Sequence, residues 1–189
     1  KTIEPIKDFE HNYIELINGL LKSTSFKFEK KTHIKIQDYN EDLVKNIKTS
    51  NSLINLNNAL TQGGYYLEVL KNYKLNKPLV IYNYFLNNLK NQVINNKNLI
   101  KLNSNCNIDL IEFNFDISES NFIQNNYTTI KIGENSTLKN YTVQGCYSKG
   151  FYYKYTKSNL SKKSNYENHI FSSGLKFNKI EEDVSISGE

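Results

Sequence analysis

Paired carboxylates are the first chemistry this chain offers. Glu181-Glu182-Asp183 lies in KFNKIEEDVSI, and in an extended segment Glu181 and Asp183 share one face. Two carboxyl groups on a common face are what polysaccharide cleavage uses, one as proton donor, the other as base or nucleophile. The chain holds no arginine to steady a developing anion, so a solvated charged strand is the simpler reading. The three histidines, His11, His33 and His169, are far apart in sequence and read as structural or solvated. Cys106 and Cys146 belong to no C-x-x-C pair or Cys/His cluster, which excludes the usual zinc spacing. They read as small, partly buried residues near strand corners. GxxxxGK[ST], GxGxxG, G-x-S-x-G and HExxH are all missing. Phe151, Tyr153 and Tyr155 share a strand face opposite Tyr152; exposed, they would stack sugars or bases, and inside a folded sheet they are core. No residue qualifies as catalytic, cofactor-binding or metal-ligating. The residues describe a scaffold rather than a catalyst.

Composition narrows the field further. The 189 residues suffice for one domain with a real core, and 14 Tyr and 10 Phe argue against disorder. Asparagine occurs 30 times and every one of the 24 basic residues is lysine. That bias follows from coding sequence poor in G and C, so abundance of either type proves little. A net charge of +5 without arginine lacks the planar fork used for phosphate and guanine, and nucleic acid is not an expected partner. No apolar run approaches the roughly 20 residues that span a bilayer. The chain starts at Lys1 and contains no Met, as a trimmed piece would.

Which elements would position these residues? FEHNYIELINGLL, residues 9–21, has apolar residues at helical spacing, with Asp8 as N-cap. Phe26, Phe28, Ile34 and Ile36 alternate, as two short strands around Lys30-Lys31 would. Residues 40–48 read as a helical turn or two, and SNSLINLNNALTQGG as a short helix broken by Gly63-Gly64. From Tyr65 on, strands succeed one another: 65–70, 78–85, 98–102, 107–115, 126–132, 137–145, 151–157, 164–172 and 176–186. NLIKLNSNCNIDLIEF superimposes on TIKIGENSTLKNYTVQG at a shift of 30 residues, and KYTKSNLSKKSNYENHIF is a weaker third copy. A recurring bent-strand unit is the mark of a solenoidal sheet with apolar side chains inward and Asn-rich corners in water. A two-sheet antiparallel sandwich is the alternative. The division is 1–62, an α/β region with short helices, and 63–189, a β-helix core cut at its C-terminal end. Ser185 to Glu189 follow a strand with no cap, so either more chain or a partner is expected there.

In this order the motifs resemble the SufB/SufD family of iron–sulfur cluster assembly scaffolds. The carrying residues are Leu56-Asn57-Asn58-Ala59, Gly63-Gly64, Asn76-Lys77-Pro78-Leu79, Asn98 to Leu102, Leu110-Ile111-Glu112, Ile132-Gly133-Glu134-Asn135, Leu138 to Gln144, and Ser173-Gly174 with Asn178 to Glu189. The resemblance runs from about Leu53 to Glu189 and is closer to SufD: where SufB-type chains carry the cysteine of an E-G-C-T segment, this one reads Glu112-Phe113-Asn114-Phe115. It implies a mainly β chain, a right-handed parallel β-helix with a small helical N-terminal region. It implies a non-catalytic SufD-like subunit of the SufBCD complex, with a SufB-like paralogue and a SufC-like ABC-type ATPase as partners. A second copy, paired through the β-helix end, is a further candidate partner; no nucleic acid or membrane partner is implied. It implies no cofactor in this chain, the nascent cluster sitting at the complex interface on ligands beyond residue 189. Neither Cys106 nor Cys146 matches a functional family position. The compartment implied is cytoplasm or, alternatively, plastid. The rivals are a β-solenoid carbohydrate-active enzyme using Glu181 and Asp183, and a binding or adhesion solenoid with exposed tyrosines.

Overall fold

Alternating Ile, Leu and Val in short runs, separated by Asn-containing corners, wind the chain into a parallel β-solenoid. The computed structural model describes residues 8–43, 45–86, 89–116, 120–144 and 150–188. Its strands are β1 (Asn12–Ile17), β2 (Leu20–Ser25), β3 (Ile34–Asp38), β4 (Tyr65–Val69), β5 (Leu79–Phe85), β6 (Val93–Leu102), β7 (Asn107–Asp116), β8 (Ile123–Ile132), β9 (Thr137–Gln144), β10 (Phe151–Leu160), β11 (Asn165–Phe171) and β12 (Phe177–Ile186). Among the described residues one α-helix, α1 (Ser52–Leu60), and a short 3-10 helix at Lys31–His33 precede β4. The strands form two six-stranded sheets. Sheet A runs β11-β9-β7-β5-β1-β2, and sheet B runs β12-β10-β8-β6-β4-β3. From β4 to β11 successive strands alternate between the two sheets.

The repeat of 30 residues is a register. Ile100 pairs beside Ile130 and Leu102 beside Ile132 in sheet B, and Ile108 beside Leu138 in sheet A. Side chains at these positions face the interior, where Leu102, Leu110 and Ile132 join one apolar cluster, each at most 1% exposed. Val143 has the opposite parity and stands half-buried on the outer face of sheet A. Asn72, Asn105 and Asn135 occupy the same corner of successive turns with φ of 62°, 60° and 56°. Asn105 Nδ2 donates to Asn72 Oδ1 at 2.7 Å, so the corners stack as a ladder. Left-handed backbone costs an ordinary residue about 1–2 kcal/mol, a cost that asparagine softens by local hydrogen bonding.

The N-terminal region departs from the expected helix. Residues 9–21 are not helical: β1 and β2 make an antiparallel hairpin, and β1 then pairs in parallel with β5. The reason is Asn18-Gly19, with φ of 48° and 85°, the two left-handed residues of a tight hairpin turn. Asp8 therefore caps no helix. Only the second of the two strands expected around Lys30-Lys31 forms as drawn, since Phe26 and Phe28 lie past the end of β2. Residues 41–43 are a turn and 45–49 carry no regular structure. α1 forms as expected. Asn51 caps it by accepting from the backbone N–H of Leu53 and Ile54.

Candidate functional site

Parity along the strands puts two charges inside the solenoid. On β7 the inward series is Ile108, Leu110, Glu112, Asn114; on β10 it is Tyr152, Lys154, Thr156, Ser158. Lys154 Nζ donates to Glu112 Oε1 at 2.9 Å, Glu112 Oε2 at 3.0 Å and Thr142 Oγ1 at 3.2 Å. The two side chains are 4% and 12% exposed, so the pair sits in the dry interior. Burial is the largest influence on the Lys154 ammonium and pulls its pKa down. The Glu112 charge and hydrogen bonds outweigh it, and the net shift is upward. A lysine held protonated donates hydrogen bonds; it is neither a base nor a Schiff-base nucleophile. Beside it a cavity of about 10 Å³, lined by Tyr65, Asn98, Glu112, Asn126 and Lys154, has room for about one water. Gln124, Asn140 and Thr156 add buried polar atoms that find no hydrogen-bond partner among the described residues. The interior thus changes from apolar at the Leu102–Ile132 corner to polar around Lys154.

The outer face of sheet B carries the carboxylates singled out in the sequence. Glu181 and Asp183 do share a face of β12, roughly 7 Å apart along the strand. Glu181 accepts from the Tyr153 hydroxyl and from Asn51 Nδ2 and pairs with Lys179 at 2.9 Å. Asp183 accepts from the Tyr155 hydroxyl at 3.2 Å. The Tyr153 hydrogen bond and Lys179 hold the Glu181 carboxyl below its ordinary pKa. A general acid needs the reverse. The carboxyl that burial does raise is Glu182, and strand alternation turns it to the other face, where Asn168 donates to it. The two properties a glycosidase combines are split across the sheet.

The aromatic stripe is a correction. Phe151, Tyr153 and Tyr155 point outward rather than into the core, and Tyr152 points inward. Tyr153 is nonetheless 2% exposed, because Asn51 at the start of α1 bonds its hydroxyl. His11 is not on a helix; it is half-buried, with Nε2 2.8 Å from the Tyr82 hydroxyl. His33 stacks on Tyr73 and His169 on Tyr141. Cys106 is 2% exposed and its thiol points at the carbonyls of Val69, Leu70 and Ser104. Cys146 lies outside the described residues. Among the described residues no group of three or more His, Cys, Asp or Glu is arranged to hold a metal.

Sequence reasoning missed the Lys154–Glu112 pair and a second buried lysine. Lys97 is 0% exposed on the outer side of β6, with Nζ donating to Asn46 and Asn58 and lying over the rings of Tyr39 and Tyr127. Burial lowers its pKa. The available signal was parity: counting by twos from Ile108 reaches Glu112, and back from Leu160 reaches Lys154.

Comparison with known proteins agrees with this scaffold. No curated protein matches the chain. Among the described residues no helix is long and apolar enough to cross a membrane. The family model described as SUF system FeS cluster assembly, SufBD core domain, matches residues 84–189, from the end of β5 through β12. With more than half its length matched, this chain belongs to the SufBD core domain family of the SUF iron–sulfur cluster assembly system.

Proposed function

We propose that this chain is a SufD-like scaffold subunit of the SufBCD complex and performs no catalysis of its own. One observation carries the SufD assignment. In the SufB-type pattern a sulfur-receiving cysteine follows the Leu110-Ile111-Glu112 strand end. Here β7 continues through that place with Phe113 and Phe115 outward, stacked on Tyr82 at 6.3 and 6.4 Å, and Asn114 inward and 2% exposed. No thiol is available there to accept sulfur. The protonated Lys154 and the split carboxylates of β12 likewise favour a body that positions other subunits.

In this reading the partners are a SufB-like paralogue and a SufC-like ABC-type ATPase. The paralogue, or a second copy, joins at the β11–β12 end of the stack, where Val184 and Ile186 are 45% and 74% exposed. The nascent cluster is cargo at that junction, held by ligands outside residues 1–189. The two sheets, hydrogen-bonded along every rung, act as a stiff body that passes on motion driven by ATP. The compartment is the cytoplasm, or a plastid in a plastid-bearing host. The test is affinity capture of the tagged protein from its native cell with identification of partners by mass spectrometry. Recovery of both a SufB-like chain and an ABC-type ATPase is the expected result; recovery of neither overturns the proposal.

A further inference from the structure

The outer face of sheet B holds two adjoining grooves, of about 380 and 400 Å³, that share Lys131 and Asn159. The first runs between Leu43, Asn46 and Ile47 on one side and the sheet on the other, and Lys45, Lys131 and Lys157 line it. The second continues along the solenoid corner with Lys71 and Lys101. No carboxylate lines either groove. Lys101 pairs with Glu68 at 2.8 Å and Lys157 approaches Asp183 at 4.0 Å. Lys45, Lys71 and Lys131 have no carboxylate within 4 Å among the described residues. Three uncompensated ammonium groups therefore face one continuous trough.

We propose that this trough is a docking site for an acidic, extended polypeptide segment of a partner protein, anchored by one apolar side chain between Leu43 and Ile47. Charge complementarity selects an anion. The half-buried Leu43 and Ile47 in the wall give it an apolar contact that a phosphate backbone would not use. Single-stranded nucleic acid binds through exposed rings that stack bases, and the trough offers none: its one aromatic, Tyr127, is 1% exposed beneath Lys97 and Tyr155. The chain also has no arginine for bidentate phosphate contacts. Three neighbouring strands, β6, β8 and β10, set the recognition length. Lys101 and Lys131 are register neighbours, and Lys157 lies on the next strand two residues before Asn159, the register neighbour of Lys131, so a segment crossing the strands obliquely meets one cation on each.

The probe is a fluorescein-labelled octapeptide, EDEELEDE, titrated into the whole chain by fluorescence anisotropy at low and physiological salt. Lys45→Glu/Lys131→Glu/Lys157→Glu is expected to weaken binding by about tenfold or more. Lys22→Glu/Lys31→Glu/Lys176→Glu, the same charge change elsewhere, is expected to stay within about twofold. Replacing the peptide leucine by serine, or Leu43→Ser in the protein, is expected to weaken binding several-fold. The single change Lys131→Gln serves if the triple variant does not melt cooperatively. Equal weakening by both triple variants, or no binding, overturns the proposal. So does a fluorescein-labelled oligo(dT) of matching charge that binds more tightly than the peptide with the same lysine dependence. Partner capture for the SUF complex reads a different surface, so the two proposals fail independently.

Discussion

Lys154 Nζ lies 2.9 Å from Glu112 Oε1 across the interior, joining β10 of sheet B to β7 of sheet A over 42 residues of sequence. A dry ion pair of this kind gains little over a well-packed apolar pair, but removing one partner strands the other charge. Glu112→Leu or Lys154→Met alone is expected to cost about 3–5 kcal/mol, since each leaves the other charge buried and unpaired. The double change Glu112→Leu/Lys154→Met is expected to recover most of that loss. Urea denaturation of the four species gives the coupling directly; additive single losses would show that the pair is not a unit.

Glu68 supplies a pH dependence. Its carboxylate accepts from Lys101 Nζ at 2.8 Å, Tyr66 OH at 2.8 Å and Asn103 Nδ2 at 2.9 Å. Burial pushes the carboxyl up, but these donors outweigh burial and bring its pKa down to about 2. A depressed carboxyl stabilises the fold above its unfolded pKa, near 4.5, and that contribution fades as pH falls toward about 2. Melting temperature should therefore drop through this window in the parent chain. Glu68→Gln should drop less there, and at pH 7 should lose about 1.5–3 kcal/mol, as hydrogen bonds to a charged group are lost. Identical acid profiles for the two proteins would sink the assignment.

The N-terminal hairpin rests on its turn. Gly19 has φ of 85°, and a Cβ there would stand 2.0 Å from Asn96 Oδ1 on β6. Gly19→Ala should cost about 1–2 kcal/mol for the left-handed backbone alone, with the clash added. Hydrogen exchange would find the loss first at Leu16 and Ile17, next to the turn. Unchanged protection in β1 would mean that the hairpin does not depend on it.

From Tyr65 onward the fold was legible because period-2 alternation and the 30-residue shift report the same thing: Ile100 over Ile130, Leu102 over Ile132. Residues 9–21 were misread because Tyr13, Ile14, Leu16 and Ile17 satisfy helical spacing as well as they satisfy a strand with apolar residues on both faces. Tyr13 meets the aromatic outer face of sheet A while Ile14 meets the core. Asn18-Gly19 was the tie-breaker. The interior pair was hidden for a different reason. A lysine in a Tyr-rich strand reads as solvent-facing, and only the counterion, 42 residues away in sequence, makes an inward Lys154 tolerable. Grooves on sheet B needed Leu43 and residues 45–47 laid over β6 and β8, and no local pattern encodes that packing.

Cys106 should be inert in the folded chain. Its thiol is 2% exposed and donates toward the Leu70 carbonyl at 3.2 Å. Burial pushes its pKa up, past the opposing effect of the backbone groups around it. Reaction with an alkylating agent goes through the thiolate, so both access and ionisation oppose it. Native protein at pH 8 should show alkylation of the Cys106 peptide slowed at least about a hundredfold relative to protein in urea, read by peptide mass spectrometry. If sulfur transfer to this chain used Cys106, the native thiol would have to react quickly. A rate near that of the unfolded peptide would therefore count against both the buried geometry and a scaffold that accepts no sulfur. Cys106→Ala should leave partner capture unchanged. It should cost about 1–2 kcal/mol of stability, since one buried sulfur and its hydrogen bond to the Leu70 carbonyl are removed from the corner between Val69 and Ser136.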